Sequence, residues 1–95
     1  MRITDQEARL LKESVWEHLP GADVYLFGSR ADDTKRGGDI DVLVIGKRRL
    51  DPLERARIKR RFFRRFGEQK LDIVSFERGE SAAFREVAEE HAIAL

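Results

Sequence analysis

Asp39 and Asp41 flank Ile40 at the head of an otherwise apolar run, Ile40-Asp41-Val42-Leu43-Val44-Ile45. Strands normally avoid aspartate, whose short charged side chain competes with backbone pairing and resists burial. On an extended chain, residues two apart share a face, so both carboxylates point one way while Ile40 and Val42 point the other. Two like charges held that close repel unless something positive lies between them. A divalent cation with oxygen ligands answers the need, and Mg²⁺ suits a few carboxylates plus substrate phosphates. Asp72 repeats the anomaly between Leu71 and Ile73; if the two runs are neighbouring strands, it completes a three-carboxylate cluster. Upstream, Phe27-Gly28-Ser29-Arg30 sets glycine and serine directly after another apolar run. Glycine lets a phosphate approach the backbone, and turn amides with a serine hydroxyl can bind its oxygens. Gly28, Ser29 and Arg30 are therefore the candidate nucleotide-binding residues, with a triphosphate lying between loop and metal.

Each part has an ordinary reading as well. The aspartate pair could cap backbone amides at a loop end, Gly28-Ser29 could be a plain turn, and Arg30, Lys35 and Arg36 could be solvated. The conjunction of Gly28-Ser29 with all three carboxylates favours the site.

The elements that must position these residues follow from periodicity. Thr4 with Glu7 three residues on is a capping-box signature, and Ala8, Leu11, Val15 and Leu19 recur at helical spacing, which predicts a helix over about 5–19. Pro20-Gly21 stops it. Val24 to Phe27 reads as a first strand, Ser29 to Gly38 as a turn or short helix, and Ile40 to Ile45 as a second strand. Asp51-Pro52 with Glu54 starts another helix. Leu53, Ile58, Phe62, Phe63 and Phe66 mark its apolar face, and Gly67 ends it. Leu71 to Phe76 is a third strand, and a last amphipathic helix runs from Ser81 to about Ala94. The expected fold is α/β (α+β): one domain over residues 1–95, with a small mixed sheet of three to four strands flanked by helices.

Composition bounds the setting. The 95 residues fit one modest core, and the absence of cysteine excludes a disulfide framework and a thiolate metal site. Neither a signal-peptide pattern nor a membrane-spanning apolar run is present, so a cytoplasmic protein without a membrane role is expected. Net charge is only +1, yet Lys47 to Arg65 holds ten Lys/Arg against Asp51 and Glu54, which is +8 there and −7 elsewhere. That imbalance points to an anionic partner or substrate near the basic segment. Arg57, Arg61 and Arg65 recur every four residues with Arg60 and Arg64 beside them. They are read as a solvated face, as a docking face for an acidic partner, or as an RNA contact. The phenylalanines opposite are read as core rather than base-stacking platforms. Trp16 and Tyr25 are expected in the core or an interface, and His18 and His91 at the surface.

Gly28-Ser29-Arg30-Ala31 through Gly37-Gly38-Asp39-Ile40-Asp41-Val42-Leu43-Val44 resembles the signature of the polymerase-β-like nucleotidyltransferases, especially their minimal bacterial and archaeal members, which pair with HEPN proteins as toxin–antitoxin modules. Asp72 falls where that family carries its third carboxylate. The resemblance implies a two-metal mechanism in which Asp39 and Asp41 bridge both Mg²⁺ ions and Asp72 binds the catalytic one. It further implies ATP as donor, AMP as the transferred group, and a tyrosine hydroxyl on a HEPN-family toxin as acceptor within a hetero-oligomer. Two alternatives remain: a catalytically silent module that neutralises its toxin by masking it, and an RNA-directed nucleotidyltransferase. The chain has no helical domain of the kind larger relatives use to hold RNA, which disfavours the latter.

Overall fold

Thr4 opens the first helix, α1 (Asp5–His18), by accepting a hydrogen bond on its hydroxyl from the Glu7 amide at 3.0 Å. Its own amide donates to the Glu7 carboxylate at 2.8 Å. The same reciprocal box between Asp51 and Glu54, with Pro52 at the first helical position, opens α2 (Pro52–Phe66). Both arrangements satisfy amides that a helix start leaves without partners. The strands are β1 (Asp23–Phe27), β2 (Ile40–Gly46), β3 (Leu71–Glu77) and β4 (Ile93–Ala94). This computed structural model describes residues 3–28, 39–80, 85–86 and 91–95.

The four strands form one sheet in the order β3-β2-β1-β4. β1 runs antiparallel to both β2 and β4, whereas β2 and β3 are parallel, because α2 carries the chain back across the sheet between them. The expected small mixed sheet is thus present with four strands. Its sides differ. Ile40, Val42, Val44, Val24, Leu26, Leu71 and Ile73 pack with Leu11 and Val15 of α1 and Ile58 and Phe62 of α2. The alternate residues Leu43, Ile45 and Phe76, with Tyr25, Phe27 and Val74, form a smaller cluster on the opposite face. Both described helices therefore cover one face. Among the described residues no helix is long and apolar enough to cross a membrane.

Two sequence expectations are corrected. The last predicted helix falls largely outside the described residues. Arg85 and Glu86 are helical, but Ile93–Ala94 is strand, registered against Leu26 and Tyr25. The Leu95 amide extends that ladder to the Val24 carbonyl at 2.8 Å. The free edge of β1 offers backbone partners that outweigh a helical preference in so short a run. Leu53 does not join the apolar face of α2 and is 60 % exposed. It lies five residues before Ile58, which at 3.6 residues per turn is about 140° around the helix.

Candidate active site

The parallel register sets Asp41 directly beside Asp72, after Ile40 beside Leu71. The strand alternation that sends Ile40, Val42, Leu71 and Ile73 into the helix-covered core sends both aspartates to the other face. Asp39 precedes β2 by one residue, and opposite it stands Lys70, whose carbonyl accepts from the Ile40 amide at 3.1 Å. Asp39-x-Asp41 and Lys70-x-Asp72 thus run side by side, and Lys70 Nζ lies 3.2 Å from Asp39 Oδ2. From the other neighbour, Phe27 registers with Asp41, which brings Gly28 past the end of β1 against that carboxylate. Gly28 has φ +74°, and a Cβ built there would lie 2.6 Å from Asp41 Oδ2. Backbone conformation and close approach both require glycine.

Electrostatics single out Asp41. Its carboxyl is raised above the usual 3.8, first by burial, then by the charges of Asp72 and Asp39, with Lys70 acting in the opposite sense. Lys70 is itself raised, chiefly by its hydrogen bond to Asp39 and then by the Asp39 and Asp72 charges. This end of the sheet favours positive charge.

Asp39, Asp41 and Asp72 share one end of the sheet without converging on a point. Among the described residues no three His, Cys, Asp or Glu side chains are arranged to hold a metal ion, and Asp39 is paired with Lys70 instead. As a donor set the three fit a hard divalent cation: all are carboxylate oxygens, on neighbouring strands, with an ammonium group already seated as a stand-in cation. Ser29 and Arg30 lie outside the described residues. Lys70 is not among the residues singled out from sequence. The signal for it is the spacing Lys70-Leu71-Asp72, which copies Asp39-Ile40-Asp41 and so places its side chain on the carboxylate face.

Elsewhere, Trp16 is 42 % exposed, with its indole N–H donating to the Ala22 carbonyl at 2.8 Å. Tyr25 is half-buried on the carboxylate face. His18, expected at the surface, is half-buried with Nδ1 3.5 Å from Glu54 Oε2, because the end of α1 abuts the start of α2. His91 is exposed. Arg57, Arg60, Arg61, Arg64 and Arg65 are exposed on α2. Arg61 pairs with Glu17, and Arg65 stacks on Phe66.

The fold and the paired strand ends identify the class: the chain belongs to the nucleotidyltransferase domain family, whose sequence profile matches residues 8–95. No curated protein matches it. Several solved structures share its fold. A chain of the tri-AMPylated Shewanella oneidensis HEPN toxin in complex with MNT antitoxin superposes with a TM-score of 0.68 at 18% identity, covering 97% of this chain and 71% of that one. A toxin–antitoxin structure with AMP-PNP gives 0.71 at 20% identity, over 92% and 70%. A Sulfolobus solfataricus protein with a provisional nucleotidyltransferase assignment gives 0.55 at 25% identity, over 94% and 78%.

Proposed function

We propose that this chain transfers AMP from ATP to a hydroxyl of a partner protein, and that the partner is a HEPN-type toxin which the modification silences. The observation that carries the reading is the register of Asp41 with Asp72, with Asp39 beside them and Gly28 against Asp41. The solved complexes of similar fold support the choice of partner and donor, since one holds a tri-AMPylated HEPN toxin and another AMP-PNP.

In this reading Asp39, Asp41 and Asp72 hold two Mg²⁺ ions. Bound there, the ions supply charge neutralisation at the transferring phosphoryl group and ease deprotonation of the attacking hydroxyl. Gly28 keeps the backbone close to Asp41 and leaves the space a side chain would fill, so that a phosphate can approach beside the carboxylates. Ser29 and Arg30 follow it in sequence and are assigned to the triphosphate. The hydroxyl oxygen gives up its proton to a neighbouring carboxylate or to water and attacks the α-phosphorus, the bond to the bridging oxygen breaks, and pyrophosphate leaves. The basic helix takes no part, because α2 packs on the sheet face opposite the one that carries Asp41 and Asp72. An RNA bound along α2 would lie on the sheet face opposite the carboxylates, which disfavours an RNA acceptor.

One observation favours a second reading, a silent module that masks its toxin: Asp39 is engaged by Lys70, and the three carboxylates do not converge. The purified protein, Mg²⁺, α-labelled ATP and the HEPN-type partner separate the two. Transfer of label to the partner, lost in Asp41→Asn, supports the enzyme. Full neutralisation without label supports the mask.

A further inference from the structure

The proposed chemistry leaves Lys70 without a task. Its side chain is 71% exposed, and its ammonium lies 3.2 Å from Asp39 Oδ2, on the strand lead that also delivers Asp72. An exposed pair of this kind adds little to the fold and exchanges readily. An ammonium and a hard divalent cation seek the same carboxylate oxygens, so Lys70 and a metal ion compete for Asp39. Once freed, a lysine on a flexible four-carbon stem is a compact cation with three donors, a form suited to phosphate oxygens.

We propose that Lys70 is an exchangeable internal counter-cation, seated on Asp39 until a divalent cation takes that carboxylate, and then transferred to the phosphate oxygens of the triphosphate. The inference rests on the reading of Asp39, Asp41 and Asp72 as cation ligands. It couples the two binding events, because a metal that displaces the lysine creates the cation that grips the nucleotide.

The coupling predicts effects of opposite sign, which a merely structural lysine would not give. Titration calorimetry with Mn²⁺ alone, and then with a non-hydrolysable ATP analogue in saturating Mg²⁺, should be run on wild type, Lys70→Met, Lys70→Arg and Asp41→Asn. Removing a unit charge about 5 Å from a dication near the surface should tighten Mn²⁺ binding by Lys70→Met about tenfold. The same variant should bind the analogue about tenfold more weakly, while Lys70→Arg stays near wild type on both. Lys70→Met with unchanged or weaker Mn²⁺ binding, or with unchanged analogue binding, overturns the role of Lys70 while leaving the carboxylates as ligands. Wild type and Asp41→Asn with equally weak Mn²⁺ binding overturns the cation site and the counter-cation together.

Discussion

Replacing Asp41 by asparagine should stabilise the fold while abolishing transfer. The substitution keeps shape and one oxygen acceptor but removes a charge that is partly buried and held beside Asp72 and close to Asp39. The Asp41 carboxyl is raised above 3.8 in the folded chain, so the folded state holds that proton more tightly than the unfolded one. Stability is therefore greatest with the proton on, is lost as pH rises through the range above 3.8, and is fully lowered at neutral pH. Adjacent strands lie about 4.8 Å apart, and two unit charges at that separation repel by about 0.9 kcal/mol in water and about 3.5 kcal/mol at a near-surface dielectric of 20. Asp41 is half-buried and Lys70 offsets part of the repulsion, so the lower end applies, about 1 kcal/mol. For a domain of this size that corresponds to about 4–8 °C in Tm. Calorimetric melting of both proteins should show Asp41→Asn higher by that margin at neutral pH, with the difference closing as pH falls below 3.8. A lower Tm for the variant at neutral pH, or a gain independent of pH, would refute the charge argument. Undiminished transfer would refute the role of Asp41 in chemistry.

Gly28→Ala should lower stability by about 1–2 kcal/mol through its left-handed backbone alone, and the Cβ crowding Asp41 Oδ2 at 2.6 Å should also eliminate transfer; melting and labelling measure both. Glu54 accepts from both Arg48 terminal nitrogens, at 2.8 and 2.9 Å, and its carboxyl is lowered from 4.5 to about 2, chiefly by that bond. A depressed carboxyl stabilises above 4.5 and loses that contribution as pH falls toward 2; Glu54→Gln should thus cost about 1 kcal/mol at neutral pH after allowance for solvent screening and flatten acid unfolding in denaturant titrations. Reversing Arg60 and Arg64 to glutamate should slow association with an acidic partner and weaken its salt dependence, with transfer to a small acceptor intact; unchanged association across a salt series would return α2 to a solvated face.

Most of the frame was legible because its signals are local. Both capping boxes, the glycine and proline stops and the apolar runs depend on a few adjacent residues, and α1, β1, β2, α2 and β3 lie within about a residue of the expected bounds. The side-by-side placement of Asp41 and Asp72 is legible for a different reason: aspartate inside an apolar strand has few structural explanations, and strand alternation puts both on the face opposite Ile40 and Leu71. Two of the misses, β4 and Lys70, are non-local. β4 exists because β1 has an open edge, which no property of Ile93–Ala94 reveals. Leu53 is a local miss: its residue type suits the apolar face, but its angular position points it away. Lys70 acquires its significance from Asp39, just before the neighbouring strand and 31 positions earlier in the chain, and nothing local to Lys70 reveals that partner.

The sheet's two faces resolve a question that charge counting left open. The +8 segment could have served the triphosphate or a partner. Ile58 and Phe62 anchor α2 on the face formed by Ile40, Val42 and Val44, whereas Asp41 and Asp72 belong to the face of Leu43, Ile45 and Phe76. A triphosphate held at the carboxylates is therefore separated from the arginines of α2 by the thickness of the sheet. Among the described residues, the cation paired with these carboxylates is Lys70, not an arginine of α2. Among the described residues, Arg57, Arg60 and Arg64 are exposed on a helix that packs on the face away from these carboxylates, and their positive field extends from the back of the domain. A domain built this way can dock a partner through α2 without covering the carboxylate face, so under the proposed function binding and transfer can fail independently. That independence is what allows the Arg60→Glu, Arg64→Glu and Asp41→Asn variants to distinguish an enzyme from a mask.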